Sequence, residues 1–267
     1  MELFGKDIFG NSIKPATRSV LADEFIEPPF SVLNGRNQSR RWTLRKKAWL
    51  NRLSWSVADK SEIIKRYSVF DPVLCEIIYT WFCPSGGMIL DPFAGGAIRG
   101  GVASALGYGY YGIELRKDLV EYNRSIDSRP TWVVGDALTT PMVEADFIFT
   151  CPPYGNYEVY SDDPRDLSTM TYDKFIDTYS SIILLSVSKL RGEYAAIVVS
   201  NFREDGYYRN FVGDTITAFE KAGMRLYNDI IYLTPIGDAM MKAKKFFVSN
   251  KKVVKIHQNV LLFKKEV

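Results

Sequence analysis

From residue 73 onward the chain alternates two patterns. Short apolar runs bounded by glycine, proline or charge read as strands: Met88–Leu90, Tyr110–Ile113, Trp132–Val134, Asp146–Thr150, Tyr194–Val199, Leu226–Leu233 and Val260–Phe263. Longer stretches with apolar residues at helical spacing fall between them: Val73–Phe82, Arg116–Ile126, Tyr172–Leu190 and Asn210–Lys221. Asp71-Pro72 offers an N-cap followed by proline at the first helical position. Gly223 closes the last helix. Strands alternating with helices predict an α/β fold with a doubly wound, mostly parallel seven-stranded sheet over residues 67–267. In such sheets ligands bind beyond the carboxyl ends of the strands. Residues 1–66 have a different texture and are expected to be a basic, aromatic N-terminal extension, with a loosely held arm over 1–27 and a helix end near Ser61–Ile64.

Charge sharpens this division. The net charge is only +3, so its clustering matters more than its total. Between Pro28 and Ala58 there is no acid, while Arg36, Arg40, Arg41, Arg45, Lys46, Lys47 and Arg52 are interleaved with Phe30, Trp42, Trp49 and Trp55. Cations for phosphates and rings for stacking suit a nucleic-acid surface. An amphipathic helix with Trp42, Trp49 and Leu53 turned inward fits equally well. A second basic stretch, Thr234–His257, carries Lys242, Lys244, Lys245, Lys251, Lys252 and Lys255 against the single acid Asp238. It reads either as a solvated loop or as an arm that grips phosphates. Cys75, Cys83, Cys151 and the single His257 have no metal-ligand spacing, and no metal site is expected. The sparse, odd cysteine count, the lack of a signal peptide and the lack of any bilayer-length apolar run suit a cytoplasmic protein.

Candidate chemistry sits at the predicted strand ends. Asp91-Pro92-Phe93-Ala94-Gly95-Gly96 joins the first strand to a helix-like segment. Its glycines let backbone approach a ligand, and the helix start offers free N–H groups. A carboxylate there would repel a pyrophosphate but attract a cation such as the sulfonium of S-adenosylmethionine (SAM). Glu114, followed by Leu115, ends the second strand at the spacing of an acid that accepts from ribose hydroxyls. Asp136, followed by Ala137, ends the third and could accept from an adenine amino group. Cys151-Pro152-Pro153-Tyr154 ends the fourth. Its two prolines fix the directions of the local carbonyls. The Pro152 carbonyl and the residue-151 side chain could take the hydrogens of an exocyclic base amine, exposing its lone pair. Tyr154 offers a face for a base swung out of the stack. Arg99 could meet a ligand carboxylate or be structural, Asp162 and Asp163 shape their loop, and His257 is not expected to be catalytic.

These motifs resemble those of the SAM-dependent amino-methyltransferases that make N6-methyladenine or N4-methylcytosine in DNA, in particular the compact methylases of bacteriophages and prophages. Pro28–Leu33 and Arg45–Trp49 match the family's opening. Phe70-Asp71-Pro72 falls at a cofactor-contacting helix start, and Tyr160–Pro164 and His257–Val260 are similar to the phage group. The resemblance implies SAM as cofactor, held by Phe70, Asp71, Asp91–Gly96, Glu114, Leu115, Asp136 and Ala137. It implies catalysis at Cys151–Tyr154 and DNA held by Arg40, Arg41, Arg45, Lys46, Lys244, Lys245, Lys251 and Lys252. One residue departs from the family: Cys151 stands where Asp, Asn or Ser is usual, and a thiol is a weak hydrogen-bond partner. Its likeness in shape to serine leans toward cytosine N4 without deciding the base. C5-cytosine chemistry through a cysteine nucleophile would need a separate glutamate motif that is not found. The rivals are an RNA methyltransferase acting at guanine N2, a binder that has lost catalysis, and a nicotinamide-dependent oxidoreductase. Asp91 and the absence of a regular G-x-G-x-x-G weigh against the last. No long insertion is available as a sequence-reading domain, so short or relaxed target specificity is expected.

Overall fold

In the computed structural model, residues 18–36, 40–53, 69–155, 159–237 and 239–266 are described. The chain divides into residues 1–30 and 31–267. The first unit contains helix α1 (Arg18–Phe25). The N-terminal arm before it, Trp55, the Ser61–Ile64 helix end and Asp238 lie outside the described residues.

The second unit is built on one sheet. Its elements are β1 (Val32–Asn34), α2 (Arg40–Arg52), α3 (Pro72–Phe82), β2 (Met88–Asp91), α4 (Ile98–Ala105), β3 (Gly109–Glu114), α5 (Lys117–Ile126), β4 (Thr131–Val134) and β5 (Ala145–Thr150). There follow α6 (Tyr172–Ser188), β6 (Leu190–Val199), a hairpin of β7 (Phe202–Glu204) and β8 (Tyr207–Arg209), α7 (Phe211–Lys221), β9 (Met224–Leu233), α8 (Ala239–Asn250) and β10 (His257–Lys265). The strand order is β1-β9-β10-β6-β5-β2-β3-β4. Every neighbouring pair is parallel except the two made by β10.

The seven expected strands are all present, and β1 adds an eighth. It pairs in parallel with β9, Leu33 opposite Tyr232, so the sheet draws on the stretch read as an extension. Helix α2 likewise packs on α3. A further correction concerns Thr234–His257. It is not a loop throughout, because residues 239–250 form α8.

Both faces of the sheet are covered, which explains why its central strands are almost continuously apolar. Leu90, Ile148, Ile197 and Leu261 join one core with Phe175, Tyr179 and Ile183 of α6 and Phe211 and Phe219 of α7. Side chains alternate along a strand, so Phe147 and Phe149 turn the other way. There Phe149 meets Tyr79 of α3 edge-on at 5.3 Å between ring centroids. Helix α3 begins as its sequence predicts: the Asp71 carboxylate accepts from Val73 N at 2.9 Å and Pro72 stands at the first helical position.

The sheet direction places the site. Strands β1, β2, β3, β4, β5, β6 and β9 all run one way, so their carboxyl ends share an edge. Antiparallel β10 brings its beginning to that edge, with Asn259 opposite Val199 and His257 opposite Leu233. None of the described helices is long and apolar enough to cross a membrane.

Candidate active site

At this edge lies a cavity of about 550 Å³, a size suited to a cofactor-like ligand. The turns after β2, β3, β4 and β5 all contribute to it. Of the residues expected at the cofactor, Phe70, Asp71, Pro92, Phe93, Gly95, Gly96, Glu114, Leu115, Asp136 and Ala137 line it. So do Cys151, Pro152, Pro153 and Tyr154.

Asp91 and Ala94 are not among the lining residues. Asp91 lies fully buried beneath the cavity floor. Its carboxylate accepts from Arg99 Nε at 2.6 Å, Tyr110 OH at 2.7 Å and Thr150 Oγ1 at 2.6 Å. Its expected direct attraction for a sulfonium is thereby corrected: the charge is already matched by Arg99. Burial alone would lower the Arg99 pKa, but the adjacent Asp91 carboxylate carries it upward. Arg99 itself reaches the cavity wall, stacks 4.9 Å over the Phe70 ring and donates to the Ala94 carbonyl at 3.0 Å. Asp91 therefore shapes the glycine turn from below. Gly95 adopts φ +53° there, a conformation that favours glycine. Asn123 Nδ2 clips its carbonyl at 2.7 Å.

Glu114 is the opposite case. One carboxylate oxygen accepts from Gly95 N at 3.0 Å and the other from Arg116 N at 2.9 Å. No cation pairs with it among the described residues. Burial pushes its carboxyl up to about 7, against the pull of those two N–H groups. Each oxygen keeps acceptor capacity toward the cavity. Asp136 caps its own turn by accepting from Leu138 N at 2.9 Å and also faces the cavity.

The diproline corner is braced from β10. Gln258 Nε2 donates to Tyr154 OH at 2.7 Å. The hydroxyl, having accepted there, can donate to Cys151 Sγ at 3.7 Å. Burial, reinforced by the neighbouring Cys151, holds the Tyr154 pKa well above its ordinary value, so the phenol stays protonated. Gly155 follows at φ +54°, and a Cβ there would strike the Phe202 ring at 2.6 Å. Gln258, Arg116, Tyr160, Arg165 and Asp166 are cavity residues that the strand-end motifs did not indicate. Arg116 Nη1 donates to the Tyr160 carbonyl at 3.3 Å. Asp166 accepts from Ser161 Oγ at 2.7 Å and Ser168 N at 2.9 Å. These bonds fold the 159–170 segment over the site. Arg165 is bound by Asp163, whose loop-shaping role is as expected.

The residues expected to hold DNA divide. Arg45 is gripped by Glu76 through two bonds of 2.6 Å each. Lys46 pairs with Asp71 at 2.9 Å and belongs to the cavity wall. Both cations already have counter-charges in Glu76 and Asp71 at the start of α3. Arg40, Arg41, Lys244, Lys245 and Lys251 are exposed, and Lys252 is half-buried.

No protein-family model and no curated protein matches this sequence. Solved structures do. TrmN from Thermus thermophilus aligns with TM-score 0.51 at 16% identity over 76% of this chain, which spans about half (51%) of TrmN. PH1948 of Pyrococcus horikoshii, provisionally called an RNA methyltransferase, aligns with TM-score 0.51 at 16% identity over 84% of this chain and 98% of its own. The magnesium protoporphyrin IX methyltransferase ChlM of Synechocystis PCC 6803, solved with SAM bound, aligns with TM-score 0.50 at 10% identity over 84% of this chain and 96% of its own. With its order of strands and its ligand edge, the chain has the α/β fold of the class I SAM-dependent methyltransferases.

Proposed function

We propose that the protein is a SAM-dependent DNA methyltransferase that modifies an exocyclic base amine, cytosine N4 or adenine N6. One observation carries the reading. Glu114, Asp136 and the Cys151–Tyr154 corner open into a single cavity, so a donor site and an acceptor site adjoin.

The residues present fit SAM. Glu114 has unshared acceptor capacity for ribose hydroxyls, and Asp136 can accept from an amino group. At Gly96 the space that a Cβ would fill is open. When bound, SAM supplies an electrophilic methyl group on a sulfonium. The chain's own part is positioning. The Pro152 carbonyl and Cys151 Sγ take the hydrogens of the target amine and leave its lone pair free. The Tyr154 ring stacks on the base, and Gln258 fixes that ring through its hydroxyl. A base amine needs little general-base catalysis once it is oriented.

The test is mass spectrometry of nucleosides after unmethylated DNA is incubated with the protein and labelled SAM. Labelled N4-methylcytosine or N6-methyladenine is expected, at short or relaxed sites. Label in RNA alone, as N2-methylguanine, would overturn the DNA assignment. Binding without label in either nucleic acid would mark the protein as a non-catalytic binder.

A further inference from the structure

The β7–β8 hairpin has no counterpart among the sequence motifs, yet it adjoins the site. It begins just after Val199, the last residue of β6, and so stands on the cavity edge. Its root packs on the catalytic corner: the Phe202 ring fills the space beside Gly155, and Tyr154 meets Phe211, just beyond β8, at 6.1 Å between centroids. Its tip, Asp205-Gly206, turns back into Tyr207, which is 82% exposed. The Arg203 guanidinium lies 4.0 Å over the Tyr208 ring and donates to the Gly206 carbonyl at 2.8 Å. Lys252 Nζ would stand 3.5 Å from a Cβ on Gly206, so the end of the α8 segment meets the hairpin tip. Lys251 Nζ lies 5.1 Å over Phe247 beside it.

Tyr207 lies opposite Glu204 and Tyr208 opposite Arg203, so Arg203 stands on the other face of the ribbon from Tyr207. A tyrosine ring left in solvent, with Lys252 at the adjoining turn and its hairpin rooted in the corner that receives the base, has the chemistry of a stacking platform with a phosphate grip. The neighbouring acid Glu204 is held by Arg209, and Asp205 is exposed at the turn itself. We infer that Tyr207 stacks on the DNA base next to the extracted target, while Lys252 holds the adjacent phosphate. This rests on the DNA reading above. It adds the element that stabilises the distorted flank, because swinging a base out leaves its neighbour with an uncovered face.

The experiment is titration of a short fluorescein-labelled DNA duplex by anisotropy, with SAM binding measured in parallel by calorimetry. Tyr207→Ala should weaken duplex binding about ten-fold, with an unchanged salt slope. Tyr207→Phe should retain wild-type affinity. Lys252→Gln should reduce the salt slope by about 0.9. SAM affinity should be the same in all four proteins, which excludes misfolding. Equal duplex affinity of wild type and Tyr207→Ala would overturn the hairpin's role while leaving the DNA reading standing. A wild type that binds SAM but no duplex would overturn the DNA reading and this inference with it. A concentration-dependent dimer abolished by Tyr207→Ala, without any effect on duplex affinity, would assign the tip to a second copy of the chain instead.

Discussion

Helices α2 and α8 are both basic and both carry large apolar side chains, yet the fold treats them differently. In α2, Trp42 and Trp49 are buried, Trp42 Nε1 donates to Asp71 at 3.2 Å and Trp49 Nε1 to Glu76 at 2.6 Å. Arg45 and Lys46 complete the pairing with the same two acids. In α8 no residue is buried, and Met240 and Met241 are 74% and 79% exposed. The difference lies outside both helices. Asp71 and Glu76 sit at the start of α3, facing α2, and Tyr232 OH adds a third side-chain donor to Asp71 at 2.9 Å. Where acids face a basic helix, as Asp71 and Glu76 face α2, its charge is drawn into the fold.

The sharpest way to break the contrast is to remove a match. Glu76→Ala would strip Arg45 of both its bonds to Glu76 and Trp49 of its acceptor. The pair is only half-buried, with Arg45 37% exposed, so losing Glu76 costs about 1–2 kcal/mol, chiefly through the buried Trp49 N–H left without its acceptor, and α2 should loosen from α3. A lowered midpoint in urea unfolding with an unchanged slope checks this. A change below about 0.5 kcal/mol would mean that Trp42 and Trp49 hold the helix by apolar packing alone.

The same contrast recurs between the acids Asp91 and Glu114, and here pH reads it. Asp91 has Arg99; Glu114 has no cation among the described residues, and its carboxyl is raised from 4.5 to about 7. The folded state therefore holds a proton that the unfolded chain releases between those values. That contribution to stability is complete below about pH 4.5 and is lost as pH rises toward 7, in all about 3 kcal/mol. Glu114→Gln should thus raise the melting temperature above pH 7 and leave it unchanged at about pH 4. Ligand binding should respond oppositely. Ribose hydroxyls need the ionised carboxylate, so wild-type SAM affinity should rise as pH increases through about 7. Glu114→Gln should bind about ten-fold more weakly at pH 8, with that pH dependence gone. A flat wild-type profile would remove Glu114 from the cofactor site.

Cys151 gives a smaller effect on the catalytic side. Its sulfur meets Tyr154 OH at 3.7 Å, and Cys151→Ser would place a stronger acceptor and donor there at nearly the same shape. The expected result is a several-fold higher kcat with SAM affinity unchanged; Cys151→Ala should lower kcat without unfolding the protein. Activity lost with serine but retained with alanine would mean that residue 151 does not contact the amine.

The legibility of this chain follows the same division. Strands buried on both faces, such as β5, stand out as continuous apolar runs. The glycine turn and the diproline corner are marked by residues whose backbone preferences are strong. The three-residue β1 is too short to carry a period. Strand β8 is exposed at Tyr207, Tyr208 and Arg209, so it lacks the alternation that signals a half-buried strand. The roles of Arg45 and Lys46 depended on acids 25 to 31 residues away, and the role of Asp91 on Arg99 folding back beneath it. Gln258 falls in a stretch that resembles the phage methylases, but its bond to Tyr154 was out of reach for a topological reason. Only the antiparallel insertion of β10 between β6 and β9 brings the start of that strand to the cavity edge.

The least disruptive substitutions separate the two basic helices most cleanly. Lys244 and Lys245 are exposed on α8, so replacing both with Gln should change stability by no more than about 0.5 kcal/mol. If the helix faces DNA, the same pair should lower the salt slope of duplex binding by about 0.9 for each phosphate left unneutralised. Arg45→Gln should show the converse: a clear loss of stability and an unchanged slope. Only the two results together assign the helices. A slope that falls with Arg45→Gln and not with the α8 pair would mean that the pairing with Glu76 opens on binding, and that α2 rather than α8 meets the nucleic acid.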